Sequence, residues 1–191
     1  MGVSLAKGQT VSLQKSSGGS LTRVRMGLGW DAVKKRGFFG SKEREIDLDA
    51  SVILFDGAGQ VVDLVWYGQL KSRDGSVLHT GDNLTGAGDG DDESIKVDLT
   101  AVPSQVTALV FTVNSFSGQG FSKVENAFCR LLDEADESEI ARYDLTGSGP
   151  HTAQVMAKVV RAGGGWQMTA IGALANGRDV KSLVPAAQQH L

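Results

Sequence analysis

The sequence predicts an all-β fold: an antiparallel β-sandwich of about ten short strands, with short peripheral helices, forming a single domain over residues 1–191. Three observations lead there. Apolar residues recur with period two in short runs, turn signals return about every 8–12 residues, and no long stretch carries the helical period. Glycine is abundant, with 25 residues against three prolines, so tight turns are frequent.

From the amino end, Val3 to Leu5 and Thr10 to Lys15 read as short strands around a turn at Lys7 and Gly8, followed by the turn SSGGS at Ser16 to Ser20. Thr22 to Trp30 alternates cleanly, with Val24, Met26, Leu28 and Trp30 on one face and Arg23, Arg25, Gly27 and Gly29 on the other. Lys34 to Glu45 shows neither period and reads as a long exposed loop, with Phe38 and Phe39 between two glycines. Ile46 to Phe55 is a strand in which Asp47 and Asp49 share a face with Ile53 and Phe55, so two carboxylates sit at the edge of a core. They pair with Arg23 or Arg25 of a neighbouring strand, or they join a metal site. Asp56 to Gln60 turns into the return strand Val61 to Leu70, and Ser72 to Gly75 turns again toward Ser76 to Thr80, where His79 reads as a loop-edge residue.

Ser94 to Leu99 and the β-branched run Val106 to Val113 are further strands, with Pro103 between them and the polar loop Asn114 to Ser122 after them. Asn114 and Asn126 could each lend an amide oxygen to a metal, although hydrogen bonding to backbone is the commoner use of such residues. Val124 to Leu132 tolerates helix by composition, but its flanking glycines and acidic turn favour a strand. Ile140 to Leu145, Thr152 to Arg161 and Trp166 to Leu174 complete the strands, joined by TGSGP and AGGG, and Val180 to Gln189 suits a short helix.

The most informative stretch is Gly81 to Glu93, GDNLTGAGDGDDE. From Asp82 to Asp98 there are six acids and one lysine, a charge of −5 in a chain whose total is −3, so the remainder is +2 and the negative charge is local. Holding carboxylates about 5 Å apart costs roughly 3 kcal/mol per pair at an effective dielectric of ~20, and Lys96 alone does not compensate that. A hard divalent cation does: calcium takes about 6–8 oxygen ligands in flexible geometry, and glycines let backbone carbonyls turn inward. The acids stand among glycines and lead directly into a strand, whereas a solvated acidic tail would not. This is not an EF-hand, because Leu84 and Gly86 occupy ligand positions and flanking helices are missing, so residues from elsewhere must finish the site.

Composition excludes other classes. The single Cys129 permits no intramolecular disulfide and no multi-cysteine zinc site, and it reads as a small buried thiol in a reducing compartment. Neither a signal peptide nor a run of ~20 apolar residues is present, which points to a cytoplasmic protein. Mild acidity argues against nucleic acid as a partner. Nucleophile elbows, P-loops and dinucleotide fingerprints are lacking, and the acids after GAGDG would repel a phosphate.

Together GVSLAKGQTVSL at the start, GLGWD at 27–31, DLDAS at 47–51, HTGDNLTGAGDGDDE at 79–93, VENAF at 124–128 and ARYDL at 141–145 resemble the TerD family of tellurium-resistance and general stress proteins. These motifs run in the family's order from residue 2 to about residue 174. The resemblance implies a β-sandwich that binds calcium, with Asp82, Asp89, Asp91, Asp92 and Glu93 matching the glycine-acid element, Asp47 and Asp49 matching DLDAS, and Asp31 closing GLGWD. Gly68 departs from the pattern, standing where the family commonly has Asn.

The expected function is therefore a non-enzymatic, bacterial calcium-binding protein of the tellurite-resistance and stress-response type. It would hold more than one calcium ion and order a surface for other proteins of a stress-response complex, at the inner face of the membrane in one version. Two alternatives stand beside it. One is a metal-dependent phosphoryl-transfer enzyme using the DLDAS acids, disfavoured because the apolar run Val52 to Phe55 follows those acids instead of preceding them. The other is a calcium-dependent membrane-associating module with Phe38, Phe39 and nearby lysines at the contact.

Overall fold

The computed structural model describes residues 3–15, 18–31, 33–37, 40–44, 46–81, 90–145 and 149–191. Expectations that fall on Ser16, Ser17, Phe38, Phe39, Asp82, Asp89 or 146–148 lie outside these.

Among the described residues the strands form two six-stranded sheets and a two-stranded ribbon. In chain order they are β1 (Val3–Ser4), β2 (Thr10–Ser12), β3 (Arg23–Asp31), β4 (Val33–Gly37), β5 (Gly40–Arg44), β6 (Leu48–Asp56), β7 (Val61–Val65), β8 (Val77–His79), β9 (Glu93–Asp98), β10 (Val106–Ser115), β11 (Glu125–Asp133), β12 (Glu139–Asp144), β13 (Ala153–Ala162) and β14 (Gly165–Ala175), followed by one helix, α1 (Val180–Gln188). Sheet A has the order β1-β12-β11-β3-β9-β8, and sheet B the order β2-β14-β13-β10-β6-β7. Pairing is antiparallel throughout except for β1, which lies parallel to β12.

The alternation read from the sequence sets the layers. Val24, Met26, Leu28 and Trp30 of β3 point inward and meet Leu48, Ala50, Val52 and Leu54 of β6 in the shared core. On the outer side of sheet B, Ile53, Phe55, Ala108, Val110, Val155 and Ile171 form a second apolar cluster with Val180 and Ala187 of α1. Asp179 caps that helix, accepting from the Ser182 N–H while the Ser182 hydroxyl faces the Asp179 N–H. Cys129 is buried, and burial pushes its thiol up to about 12. No helix among the described residues is long and apolar enough to cross a membrane.

Four expectations change. Within the stretch read as an exposed loop, the described residues 33–37 and 40–44 form a ribbon, with β4 and β5 in register from Val33 opposite Arg44 to Gly37 opposite Gly40. It lies outside both sheets and so carries no apolar alternation to betray it. The return strand ends at Val65, where Trp66 and Gln69 exchange backbone hydrogen bonds and Asp63 accepts from the Leu64 N–H, the Gln69 amide and the Arg73 N–H. Strand β10 runs on through Asn114 and Ser115, both fully buried, because β6 and β13 flank it there. Finally, His79 is a buried strand residue facing the same way as Val77.

Candidate metal centre

One end of the sandwich gathers the carboxyl end of β3, the amino ends of β6 and β9, and the carboxyl end of β10. Most of the expected acids are there, delivered by different strands. Trp30 ties the two sheets at this mouth, its indole N–H donating to the Ile46 carbonyl at 2.8 Å.

Asp91, Asp92 and Glu93 are consecutive in sequence yet go to three places. Glu93 turns inward and is 1% exposed. Strand β7 covers β6 only from Val52 onward, so the edge of β6 at Ala50 is open. Glu93 Oε2 accepts the Ala50 N–H at 2.7 Å, and His79 Nε2 lies 3.2 Å from the Ala50 carbonyl and 3.5 Å from Glu93 Oε2. Because His79 Nδ1 accepts from the Gly81 N–H at 3.2 Å, the ring proton sits on Nε2, facing both oxygens. Two side chains of sheet A thus complete an edge of sheet B, which resolves the burial of both polar groups.

Asp92 stays at the rim. Its N–H donates to the Leu28 carbonyl at 2.8 Å and its Oδ2 accepts the Trp30 N–H at 3.0 Å. Burial, opposed by the Trp30 hydrogen bond and reinforced by the charges of Asp31 and Asp91, holds its carboxyl above the usual range. Asp31 ends β3 exposed, and its Oδ2 accepts from the Asn126 amide at 2.5 Å. Asp91 turns to the outer face of sheet A, where Arg130 Nε donates to its Oδ1 at 2.7 Å and Arg25 Nη1 stands 3.7 Å from its Oδ2. These arginines supply compensation that Lys96 alone does not. Lys96 itself pairs with Glu134 at 2.7 Å.

On the sheet B side, Asp49 is 3% exposed and its Oδ2 accepts from Asn114 Nδ2 at 2.8 Å, while the same amide donates to the Arg178 carbonyl at 3.0 Å. Asn114 Oδ1 is buried without a hydrogen-bond partner. Asp47 is half-buried, and its carbonyl accepts from the Phe116 N–H. The arginines considered as partners for these two acids are engaged elsewhere, Arg23 with Asp98 and Arg25 with Glu134, Glu137 and Asp91. Among the described residues no three Asp, Glu, His or Cys side chains converge as a ready metal site. Asp82 and Asp89 lie outside those residues.

The family model described as TerD domain matches residues 1–185. The chain belongs to the TerD family. Its relatives agree: tellurium resistance protein TerZ of Serratia marcescens is 49% identical over 184 residues, spanning 95% of this chain and 94% of the relative. General stress protein 16U of Bacillus subtilis strain 168 is 43% identical over 180 residues, 90% of each chain. A solved structure of a Streptomyces coelicolor homologue of telluride resistance protein TerD superposes with a TM-score of 0.71 at 18% identity, covering 86% of this chain and 96% of that one, and shares the fold. The motif resemblance read from the sequence is thereby confirmed, and this TerD-family chain stands among the tellurium-resistance and stress proteins.

Sequence reasoning missed His79 and Arg130 as parts of this mouth, and it set Arg25 beside Asp47 and Asp49 where the structure sets it beside Asp91. A signal existed only for the arginines, which alternate outward on strands neighbouring the acid loop.

Proposed function

We propose that this TerD-family protein is a non-enzymatic calcium-binding protein of the tellurite-resistance and stress-response type, acting in the cytoplasm and holding more than one ion at the mouth of the sandwich. The observation that carries this reading is the Asp92 carboxyl, placed at the rim beside the like charges of Asp31 and Asp91 with its Oδ2 accepting from the Trp30 N–H. A bound dication relieves that repulsion. The donors suit a hard cation, since Asp31, Asp47, Asp49, Asp92 and Glu93 are carboxylates and the buried Asn114 Oδ1 has no other partner. Asp31 and Asp92 would hold an ion at the rim of sheet A, and Asp47 and Asp49 with Asn114 at the rim of sheet B. Glu93 would tie the rims together, and the family motif adds Asp82 and Asp89 to the expected ligands. Calcium supplies positive charge and couples binding to loop order, which gives partner proteins a defined surface. The names of the relatives support the stress-response setting.

Against phosphoryl transfer stands the direction of β6, which begins at Leu48, so that Asp47 and Asp49 lie at its amino end.

Thermal melts with and without calcium test the reading. At a hundred times Kd, calcium adds about 2.7 kcal/mol, which corresponds to a rise in Tm of roughly 5–10 °C for a chain of this size. Because the folded-state pKa of Asp92 is raised, the native state holds that proton more tightly than the unfolded chain. The metal-free protein therefore loses stability as pH rises from the ordinary carboxylate value through the raised one. Asp92→Asn removes this loss. The variant is expected to melt no lower than the parent at pH 7 without metal and to lose most of the calcium-induced rise. A parent whose Tm does not move in millimolar calcium contradicts the proposal.

A further inference from the structure

Asp91 differs from the other acids of the mouth in facing arginines, with Oδ1 hydrogen-bonded to Arg130 and the buried Oδ2 3.7 Å from Arg25 and without a hydrogen-bond partner. Its side chain is 6% exposed and rests directly on β3. Gly27 has no side chain, and the Asp91 carboxylate fills the space a Cβ would take, coming within 2.2 Å of that position. At Gly29 the Gly90 carbonyl approaches in the same way, within 2.5 Å. Residues 90–92 thus lie flat on the strand because two alternate positions of it are bare. Two attachments hold them there: the Asp92 N–H to the Leu28 carbonyl and the Asp91 carboxylate to Arg130.

The arginines are themselves fixed. Arg130 stands opposite Gly27 on β11, with Nη1 3.6 Å from Glu139. Arg25 is held on its far side by Glu134 and Glu137. Asp91 therefore docks against two arginines that are themselves paired with other acids. One residue further on, Asp92 faces the rim and Asp31.

We infer that Arg130, backed by Arg25, is a positioning residue for the calcium site, and that Asp91 is the clamp it grips and not a calcium ligand. By anchoring the stem of the acid loop on sheet A, this ion pair sets Asp92 against Asp31 before any ion is captured, so the entropy of ordering that stem does not oppose binding. The inference rests on the calcium reading and refines it, removing Asp91 from the expected ligands and adding a residue 39 positions away. Arginine suits the task because its Nε–H donates in the guanidinium plane while Nη1 reaches a second acid.

Calcium titration calorimetry on the full chain and on Arg130→Gln, Arg130→Lys, Asp91→Asn and Asp92→Asn tests it. Arg130→Gln and Asp91→Asn are expected to weaken calcium binding about tenfold with the number of bound ions unchanged, as loss of an outer-shell partner does. Arg130→Lys, which keeps the charge, recovers part of that loss, and Asp92→Asn lowers the number of ions. In metal-free protein, Arg130→Gln also speeds hydrogen exchange of the Asp92 amide while β13 stays protected. A lower ion count in Asp91→Asn overturns the inference, because Asp91 would then be a ligand. Unchanged or tighter binding by Arg130→Gln overturns it too, because the arginine would then be idle or a competitor of the ion. Either failure, seen while the unmutated chain binds calcium, leaves the calcium reading standing. Absence of binding in the unmutated chain ends both.

Discussion

The outer faces of the two sheets follow opposite plans. On sheet B, Ile53, Phe55, Val110 and Val155 are apolar and lie beneath α1. Sheet A has Arg23 paired with Asp98, Arg25 and Lys96 with Glu134, Arg130 with Asp91 and Glu139, and Arg142 with Glu139 and Asp144 on its outer side. Arg142 also lies over the Phe128 ring, 3.6 Å from its centroid. One face stabilises by removing apolar area from water, while the other arranges charges in water, where isolated pairs contribute little. The difference teaches where stability and function separate. Sheet B with its helix is the scaffold, and sheet A offers a charged bed on which an acidic loop can be anchored.

Substitutions can break or sharpen this contrast. The largest effect is expected on the covered face, where Phe55→Ala removes a fully buried ring beneath α1 and should cost about 3–5 kcal/mol by urea unfolding. A loss below about 1 kcal/mol would mean the helix does not seal that face. At the junction of the sheets, Glu93→Ala leaves the buried Ala50 N–H without its acceptor, with an expected loss of about 1–3 kcal/mol. Unchanged stability there would show that the edge of β6 needs no completion. The smallest effect belongs to the open face: Arg23 is 67% exposed and 3.2 Å from Asp98, and Arg23→Ala should change stability by under about 1 kcal/mol, less still in high salt.

Most of the fold was legible because the periodicity reports burial. Val24, Met26, Leu28 and Trp30 announced β3, and the change from acids at 47 and 49 to apolar side chains at 53 and 55 marked the edge of the core. The ribbon of β4 and β5 was hidden because VKKRG and GSKER carry no apolar alternation. His79 was misread because its partners, Ala50 and Glu93, come from two other strands. That Asp31, Asp47, Asp49, Asp92 and Glu93 share one mouth was legible, while the parts of His79 and Arg130 and the division of labour among the acids were not. The run Asp91-Asp92-Glu93 reads as one cluster of charge, whereas the sandwich sends the first to arginines, the second to the rim and the third between the sheets.

The most direct test of the account is isothermal titration of the metal-free protein with calcium and with magnesium in parallel at pH 7. More than one calcium per chain, with magnesium binding more weakly because it demands stricter geometry and gives up water reluctantly, is the predicted result. No heat of binding up to millimolar calcium would contradict it, and the acids of the mouth would then be held by the arginines and backbone donors of the fold alone.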